Sequence, residues 1–295
     1  MDPASLERPS KDQLRTHVER VAVSRDIFDN QNGLARVQAY IEETLKNLGY
    51  TLERQPFVLR HRLLENVIAR KNLQAGLPRL MIGAHFDAVP GTPGADDNAS
   101  GVAVLLEIAR ILAQDRAVQN TEFVAFNAEE YGMAGSKVLA ESYKNKGILL
   151  SGMLSLEMVG FTDKTPGSQK IPFFLKPFYP DRGDFLALVG DSSSRALLRK
   201  ARNAFREASG SQALPVQTLT LPFKGWPVPA SRLSDHSAFW DQGYPALLVT
   251  DTSFFRNPHY HQISDTPDRL DLEFMAQTAS GIAQLAQTLS LVRRP

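Results

Sequence analysis

Residues 80–113 read LMIGAHFDAVPGTPGADDNASGVAVLLEIARILA, and this segment indicates the fold class of the chain. Its apolar start, residues 80–86, has the length and composition of a buried strand. A loop rich in Pro and Gly follows, and then an apolar helix over 101–113 that either Asn98 or Ser100 can cap. A buried strand, a loop and a buried helix in this order indicate one unit of an α/β sheet.

The same alternation of strands and helices continues on both sides of this stretch. Further strands are predicted at 51–59, 63–71, 122–127, 148–157, 185–189, 215–219 and 245–250, and further helices at 11–23, 33–48, 135–143, 194–207 and 270–292. This alternation predicts an α/β fold with a mostly parallel sheet. No linker-like composition divides the chain, so we expect residues 1–295 to form one domain.

Composition excludes several classes of function. The chain has 33 Lys and Arg against 32 Asp and Glu and no basic run, so we expect no nucleic-acid partner. No run of about 18 apolar residues is present, so we expect no membrane span. The N-terminus lacks the apolar core of a signal peptide, which leaves a cytoplasmic protein or a secreted one whose leader has been removed. Nothing in the sequence specifies an oligomeric state.

The chain has no cysteine, so any transition-metal site must be built from His and carboxylates. His85 and Asp87 follow each other at the end of a predicted strand with their side chains on one face, as in a metal-ligating His oriented by a carboxylate. An ordinary polar strand end is the alternative. Asp96 and Asp97 precede a predicted helix, where one acid is enough for a cap. Two neighbouring carboxylates repel each other unless a cation holds them.

Three more acids and two histidines complete the set of candidate residues. Glu129 and Glu130 follow a strand, so that one can bind a metal while the other takes a proton from water, although a solvated turn is the alternative. Glu157 ends a buried apolar run and needs a partner or solvent. His259 and His261 compete for one ligand position, and their spacing does not choose between them. A carboxylate that bridges two ions is what a two-metal site requires.

The segments that carry these residues resemble, in the same order, the two-zinc aminopeptidase family of metallopeptidase clan MH, which is related to glutamate carboxypeptidase II and to glutaminyl cyclases. The segments are IGAHFDAVPGTPGADDNASGVAVLLEIAR (82–110), FVAFNAEEYGMAGS (123–136), LEMVG (156–160), SDHSAFWDQGYPALLV (234–249) and HYHQISDTPD (259–268). The resemblance implies a zinc exopeptidase fold of the phosphorylase/hydrolase-like type, with a central mixed sheet between helices. It also implies a peptide or amino-acid-derived substrate, with aminopeptidase activity favoured over carboxypeptidase and dipeptidase activity.

The resemblance further implies a set of metal ligands. His85 and Glu157 would bind one zinc ion, and Glu130 and His261 would bind the other. Asp97 would bridge the two ions. Most members of the family carry Asp at the position of Glu157, so this longer side chain is the departure that bears on the first zinc position.

The same resemblance implies supporting roles around the ligands. Glu129 would be the general base, and Tyr260 would donate a hydrogen bond to the oxyanion. Asp87 would orient the neighbouring histidine, and Asp235 would have a supporting or structural role. The peptide bond before Asn98 would be cis.

Two other functions stay open at this level. Glutaminyl cyclases keep a similar His-x-Asp segment yet use one zinc ion, so a single-zinc acyltransferase is the first alternative. The second is a non-catalytic binding domain on the same fold, against which the complete ligand set argues.

The segment 161–184 is a predicted long loop near the active site, rich in Pro, Gly and aromatic residues. Its aromatic residues are Phe161, Phe173, Phe174, Phe178 and Tyr179. We expect it to cover one side of the cleft and to shape a side-chain pocket, or else to pack onto the body of the domain.

Overall fold

The computed structural model describes residues 6–291 except 116, 117, 119, 174 and 210–213. The strands are β1 (Thr51–Leu59), β2 (Arg62–Arg70), β3 (Arg79–His85), β4 (Thr121–Phe126), β5 (Leu150–Glu157), β6 (Leu186–Asp191), β7 (Val216–Leu221) and β8 (Ala246–Thr250). The helices are α1 (Lys11–Val21), α2 (Gln31–Asn47), α3 (Gly101–Gln114), α4 (Ala134–Asn145), α5 (Arg195–Ser209), α6 (His236–Asp241) and α7 (Leu272–Leu291).

Within the described residues, the strands form one eight-stranded sheet in the order β1-β2-β4-β3-β5-β8-β6-β7. The neighbouring strands β4, β3, β5 and β8 run parallel to one another. The β1–β2 hairpin and the β6–β8 pair are antiparallel, which makes the sheet mixed. The predicted α/β domain with a mixed, mostly parallel sheet is therefore confirmed. Because parallel strands share a direction, the four central strands bring their carboxyl ends to one edge.

Each face of the sheet is covered by helices, and side chains alternate between the two faces. On β3, Ile82 and Ala84 pack into the larger apolar cluster with α1, α3 and α7. Met81, which directly precedes Ile82 and points to the opposite face, packs into the smaller cluster with α4 and α6. Burial on both faces explains why the central strands are short, continuous apolar runs.

The helices have the apolar surfaces expected of a layered domain. Helix α3 is buried on nearly every side, whereas α1 and α2 bury one stripe each. Helix α6, only six residues long, was not among the predicted elements because so short a helix has no readable period. Among the helices that the structure describes, none is both long and apolar enough to cross a membrane.

Candidate metal centre

The carboxylate of Asp97 lies between two imidazoles. Its Oδ1 is 3.2 Å from Nε2 of His85, and its Oδ2 is 3.1 Å from Nε2 of His261. Asp97 precedes α3 in a tight turn, and its peptide bond to Asn98 is cis. The two oxygens of one carboxylate thus face two different nitrogen ligands, as in a bridging position.

Each imidazole is paired with one further carboxylate. Nε2 of His85 lies 3.4 Å from Oε1 of Glu157, and both residues end central parallel strands. Nε2 of His261 lies 3.4 Å from Oε2 of Glu130. We call these the His85 pair and the His261 pair, and Asp97 stands between them. The structure thus brings together all five residues that the resemblance assigned as ligands.

The chemistry of this cluster fits zinc. Oδ1 of Asp97, Oε1 of Glu130 and Nε2 of His261 are buried and make no hydrogen bond within the described residues. Ligand atoms of His85, Asp97 and Glu130 all lie within 4.8 Å of one another. Imidazole nitrogen and carboxylate oxygen are ordinary zinc donors, and unpaired buried lone pairs are costly unless a cation satisfies them.

Burial and mutual repulsion shift the pKa values of the cluster. Burial raises the pKa of Glu130 to about 7, and the negative charge of Asp97 adds to this rise. Burial lowers the pKa of His261, but the adjacent carboxylates of Asp97 and Glu130 outweigh it and raise that pKa to about 10. Burial also raises the pKa of Glu129 well above its ordinary value. Carboxylates crowded in this way favour bound cations.

Asp87 joins two of the strand ends that carry ligands. Its carboxylate accepts hydrogen bonds from the backbone N–H groups of Glu129 at 3.1 Å and Glu130 at 3.2 Å. Nδ1 of His85 lies 3.2 Å from the main-chain oxygen of Asp87 and 3.6 Å from its Oδ1. A donor role for Nδ1 leaves Nε2 free for a metal.

Asp265 holds the turn that presents Asp97, and the sequence analysis assigned it no role. Its two carboxylate oxygens accept from the backbone N–H groups of Asp96 at 2.9 Å and Asp97 at 3.1 Å. Burial raises the pKa of Asp265 to about 7. The Asp-Thr-Pro-Asp run that contains it was the only sequence signal available.

The choice between the two neighbouring histidines follows from their contacts. His261 faces Asp97 and Glu130, whereas Nδ1 of His259 lies 2.9 Å from Oγ of Ser264. The ring of Tyr260 stacks on the ring of His261 with 3.7 Å between centroids. Burial, together with the nearby carboxylates, raises the pKa of Tyr260, so its hydroxyl keeps its proton.

The segment before α6 supports the His85 pair. The hydroxyl of Ser234, a residue that the sequence analysis did not single out, donates to Oε2 of Glu157 at 2.8 Å. Asp235 is buried, and burial raises its pKa to about 7 against the opposing effect of His85. Asp235 is thus a buried acid directly after the serine that supports Glu157.

A cavity of about 370 Å³ opens beside the cluster. One end is formed by acidic and imidazole residues, namely Asp97, Glu129, Glu130, Glu157 and His261. The rest is mainly apolar and includes Ile171, Leu175, Leu219, Leu233, Leu248 and Phe254. Such a volume lies within the range of small-molecule sites.

The loop 161–184 forms part of this cavity wall. Tyr179 lines the cavity, whereas Phe173 and Phe178 are largely exposed. Phe161 packs edge-on against the ring of His259, and Phe174 lies outside the described residues.

A buried arginine ties this loop to the body of the domain. Arg256 donates to the main-chain oxygens of Phe161 at 3.2 Å and Phe185 at 2.7 Å. It also donates to the side chain of Gln169 at 3.0 Å. The loop is therefore fixed at both ends and at one point in between.

The sequence profile of peptidase family M28 matches residues 66–286, which include every candidate ligand. The chain belongs to peptidase family M28. Membership of M28 makes this a metallopeptidase-family protein, and a peptidase family implies peptide substrates.

The relatives of this chain differ in how much of their own length it covers. YfbL of Escherichia coli, described as uncharacterized, is 36% identical over 96% of this chain and 90% of its own length. A probable leucine aminopeptidase of Arthroderma otae is 28% identical over 73% of this chain and 55% of that protein. A probable zinc metalloprotease of Pyrenophora tritici-repentis is 30% identical over 69% of this chain and 44% of that protein. The chain thus spans about half the length of these two fungal relatives.

Solved structures confirm the fold. The aminopeptidase LapA of Legionella pneumophila superposes with a TM-score of 0.71 at 18% identity, covering 95% of this chain and 72% of that one. The glutaminyl cyclase of Porphyromonas gingivalis superposes with a TM-score of 0.71 at 19% identity, covering 96% of this chain and 99% of that one. At these identities the likeness concerns the fold and not the reaction.

Proposed function

We propose that this M28 protein is an exopeptidase with two zinc ions, and specifically an aminopeptidase. The observation that carries the proposal is the position of Asp97 between the His85 pair and the His261 pair. Each pair provides one imidazole and one carboxylate, and Asp97 provides an oxygen to each. This is a complete donor set for two ions with a shared carboxylate.

Zinc ions bound there would supply Lewis acidity, which lowers the pKa of a water molecule and polarises a peptide carbonyl. The side chains then divide the remaining work. Glu129 lines the cavity beside the ligands and is the group that takes the proton of the attacking water and delivers it to the leaving amine. Tyr260, held by stacking on His261, directs its hydroxyl at the developing oxyanion.

Glu157 supports the aminopeptidase assignment. It lines the same cavity, one of its oxygens faces His85, and the other accepts from Ser234. A carboxylate in this position binds the free α-amino group of a substrate, which restricts cleavage to the N-terminal residue. The additional methylene of Glu relative to Asp leaves the carboxylate within reach of the cluster.

The walls of the cavity support a preference for apolar N-terminal residues. Side chains such as Ile171, Leu219 and Leu248 face the space beside the ligands, and burying an apolar group there is favourable. The name of the Arthroderma relative, probable leucine aminopeptidase, agrees with this preference.

The experiment is a panel of anilides of Leu, Ala, Glu and N-acetyl-Leu, assayed with the zinc-loaded protein and after chelation. We expect hydrolysis of the Leu anilide, weaker hydrolysis of Ala and Glu, and none of N-acetyl-Leu. Equal cleavage of the acetylated substrate would contradict the aminopeptidase assignment. Pyroglutamate formation from an N-terminal Gln peptide with one zinc per chain would establish the cyclase alternative. An inactive protein with bound zinc would indicate a binding domain.

A further inference from the structure

Arg25, between α1 and α2, is fully buried, and its hydrogen bonds within the described part of the chain all go to main-chain oxygens. Its hydrogen bonds go to the oxygens of Phe86 at 2.8 Å, Gly94 at 2.8 Å, Pro93 at 2.5 Å, Val23 at 3.1 Å and Asp97 at 3.4 Å. Among the described residues, no carboxylate forms an ion pair with it. A buried guanidinium is costly, so this arrangement calls for a specific reason.

The oxygens that Arg25 binds belong to two segments that carry ligands. Phe86 directly follows His85, and Gly94 begins the turn that ends at Asp97. Gly94 has a φ of 58°, and a Cβ there would lie 2.3 Å from the oxygen of Asp97. The turn is therefore folded tightly enough for one guanidinium to reach both of its ends. This side chain therefore connects the residue after β3 to the turn that carries Asp97.

Asp26, the next residue, connects to a third ligand segment. Its Oδ2 accepts a 2.5 Å hydrogen bond from the hydroxyl of Tyr131, which directly follows Glu130. Its Oδ1 accepts from the backbone N–H groups of Phe28 at 2.7 Å and Asp29 at 2.6 Å, which fixes the carboxylate. Phe28 also packs edge-on against Tyr131, with 5.0 Å between ring centroids.

We propose that Arg25 and Asp26 are positioning residues of the metal centre, which hold the segments of His85, Asp97 and Glu130 at the spacing that zinc requires. Both residues precede the region 66–286 that matches the family profile. The proposal therefore extends the site to the N-terminal segment. This inference rests on the proposed zinc binding.

The test measures the zinc dissociation constant by competition with a chromogenic chelator, together with thermal unfolding of the metal-free protein. R25M retains all zinc ligands and removes the hydrogen bonds to their segments. We expect its zinc affinity to fall by about 10- to 100-fold, as for other groups that orient ligands. R25K retains the positive charge but lacks the planar guanidinium group and its several fixed N–H donors. It should therefore not restore the wild-type zinc affinity.

The matched control is R256M. Arg256 is also buried and also donates to main-chain oxygens. Its acceptors belong to Phe161 and Phe185, and neither residue is a candidate ligand or directly follows one. We expect R256M to lower the unfolding temperature and to leave the zinc dissociation constant unchanged. Equal loss of zinc affinity in R25M and R256M would show that Arg25 contributes only to general stability. This result would overturn the proposal.

Y131F tests the Asp26 contact and also covers the case in which R25M does not fold. It removes one hydroxyl, and we expect zinc affinity to weaken several-fold without loss of fold. Wild-type affinity in Y131F would contradict the role of Asp26, and wild-type affinity in R25M would contradict that of Arg25. A wild-type protein that binds no zinc would instead refute the proposed function.

Discussion

The hydroxyl of Ser234 donates a 2.8 Å hydrogen bond to Oε2 of Glu157, which leaves Oε1 facing His85. The side chain of Glu157 is thereby held by a serine from the segment before α6. Ser155 contacts the same hydroxyl at 2.9 Å, so the serine is itself oriented. The orientation of Glu157 thus depends on a residue 77 positions away in sequence.

Replacing Ser234 by Ala should weaken zinc at the His85 pair. Loss of a hydrogen bond that orients a ligand typically costs about 10- to 100-fold in metal affinity. Zinc titration of the purified protein should show one tight and one weakened ion per chain. S155A should cause a smaller loss, because Ser155 orients the hydroxyl of Ser234 and leaves its hydrogen bond to Glu157 in place. Unchanged affinity in S234A would show that Glu157 needs no support.

E129Q should abolish most of the peptidase activity while the zinc content stays at the wild-type value. Gln has nearly the same shape as Glu but accepts no proton, and general-base catalysis contributes about 10²- to 10⁴-fold. The turnover of the Leu anilide and the zinc per chain should be measured on the same preparation. Activity of E129Q within a few-fold of wild type would show that Glu129 is not the general base.

D265N should destabilise the turn that presents Asp97. The amide group turns one acceptor into a donor, which then faces the backbone N–H of Asp96 or Asp97. An unsatisfied buried group of this kind costs about 1–3 kcal/mol, which denaturant unfolding would measure. D268N is the matched control, since Asp268 is exposed in the same loop. Equal stability of the two variants would contradict the role of Asp265 in stabilising the turn that carries Asp97.

A230F should change the substrate preference without changing the metal site. Ala230 lines the cavity and is not one of the candidate ligands, and it is only partly buried, so the domain can accommodate a larger side chain there. We expect kcat/KM for the Leu anilide to fall more than that for the Ala anilide. A uniform loss for both substrates would indicate that the side chain of the substrate binds elsewhere.

The fold could be predicted because the central strands are short apolar runs that alternate with helices. The place of His85 and Glu157 at the ends of neighbouring strands could be predicted because both residues end such runs. Asp97 and His261 lie in loops beyond the strand ends, and their place followed from the resemblance alone. The left-handed φ of 59° at His261 helps to turn this residue, and not His259, towards Asp97.

The supporting residues could not be predicted from the sequence. Arg25, Ser234 and Asp265 act through hydrogen bonds to segments that are 61 or more positions away. The spacing of residues along one strand or helix does not reveal hydrogen bonds between segments that are distant in sequence. Helix α6 was missed for a different reason, since six residues span fewer than two helical turns.

The most direct test of the two-metal centre is anomalous diffraction at the zinc edge from crystals grown with zinc. We predict two peaks on opposite sides of Asp97, one beside His85 and Glu157 and the other beside His261 and Glu130. A single peak, or two peaks of which one does not touch Asp97, would contradict the account.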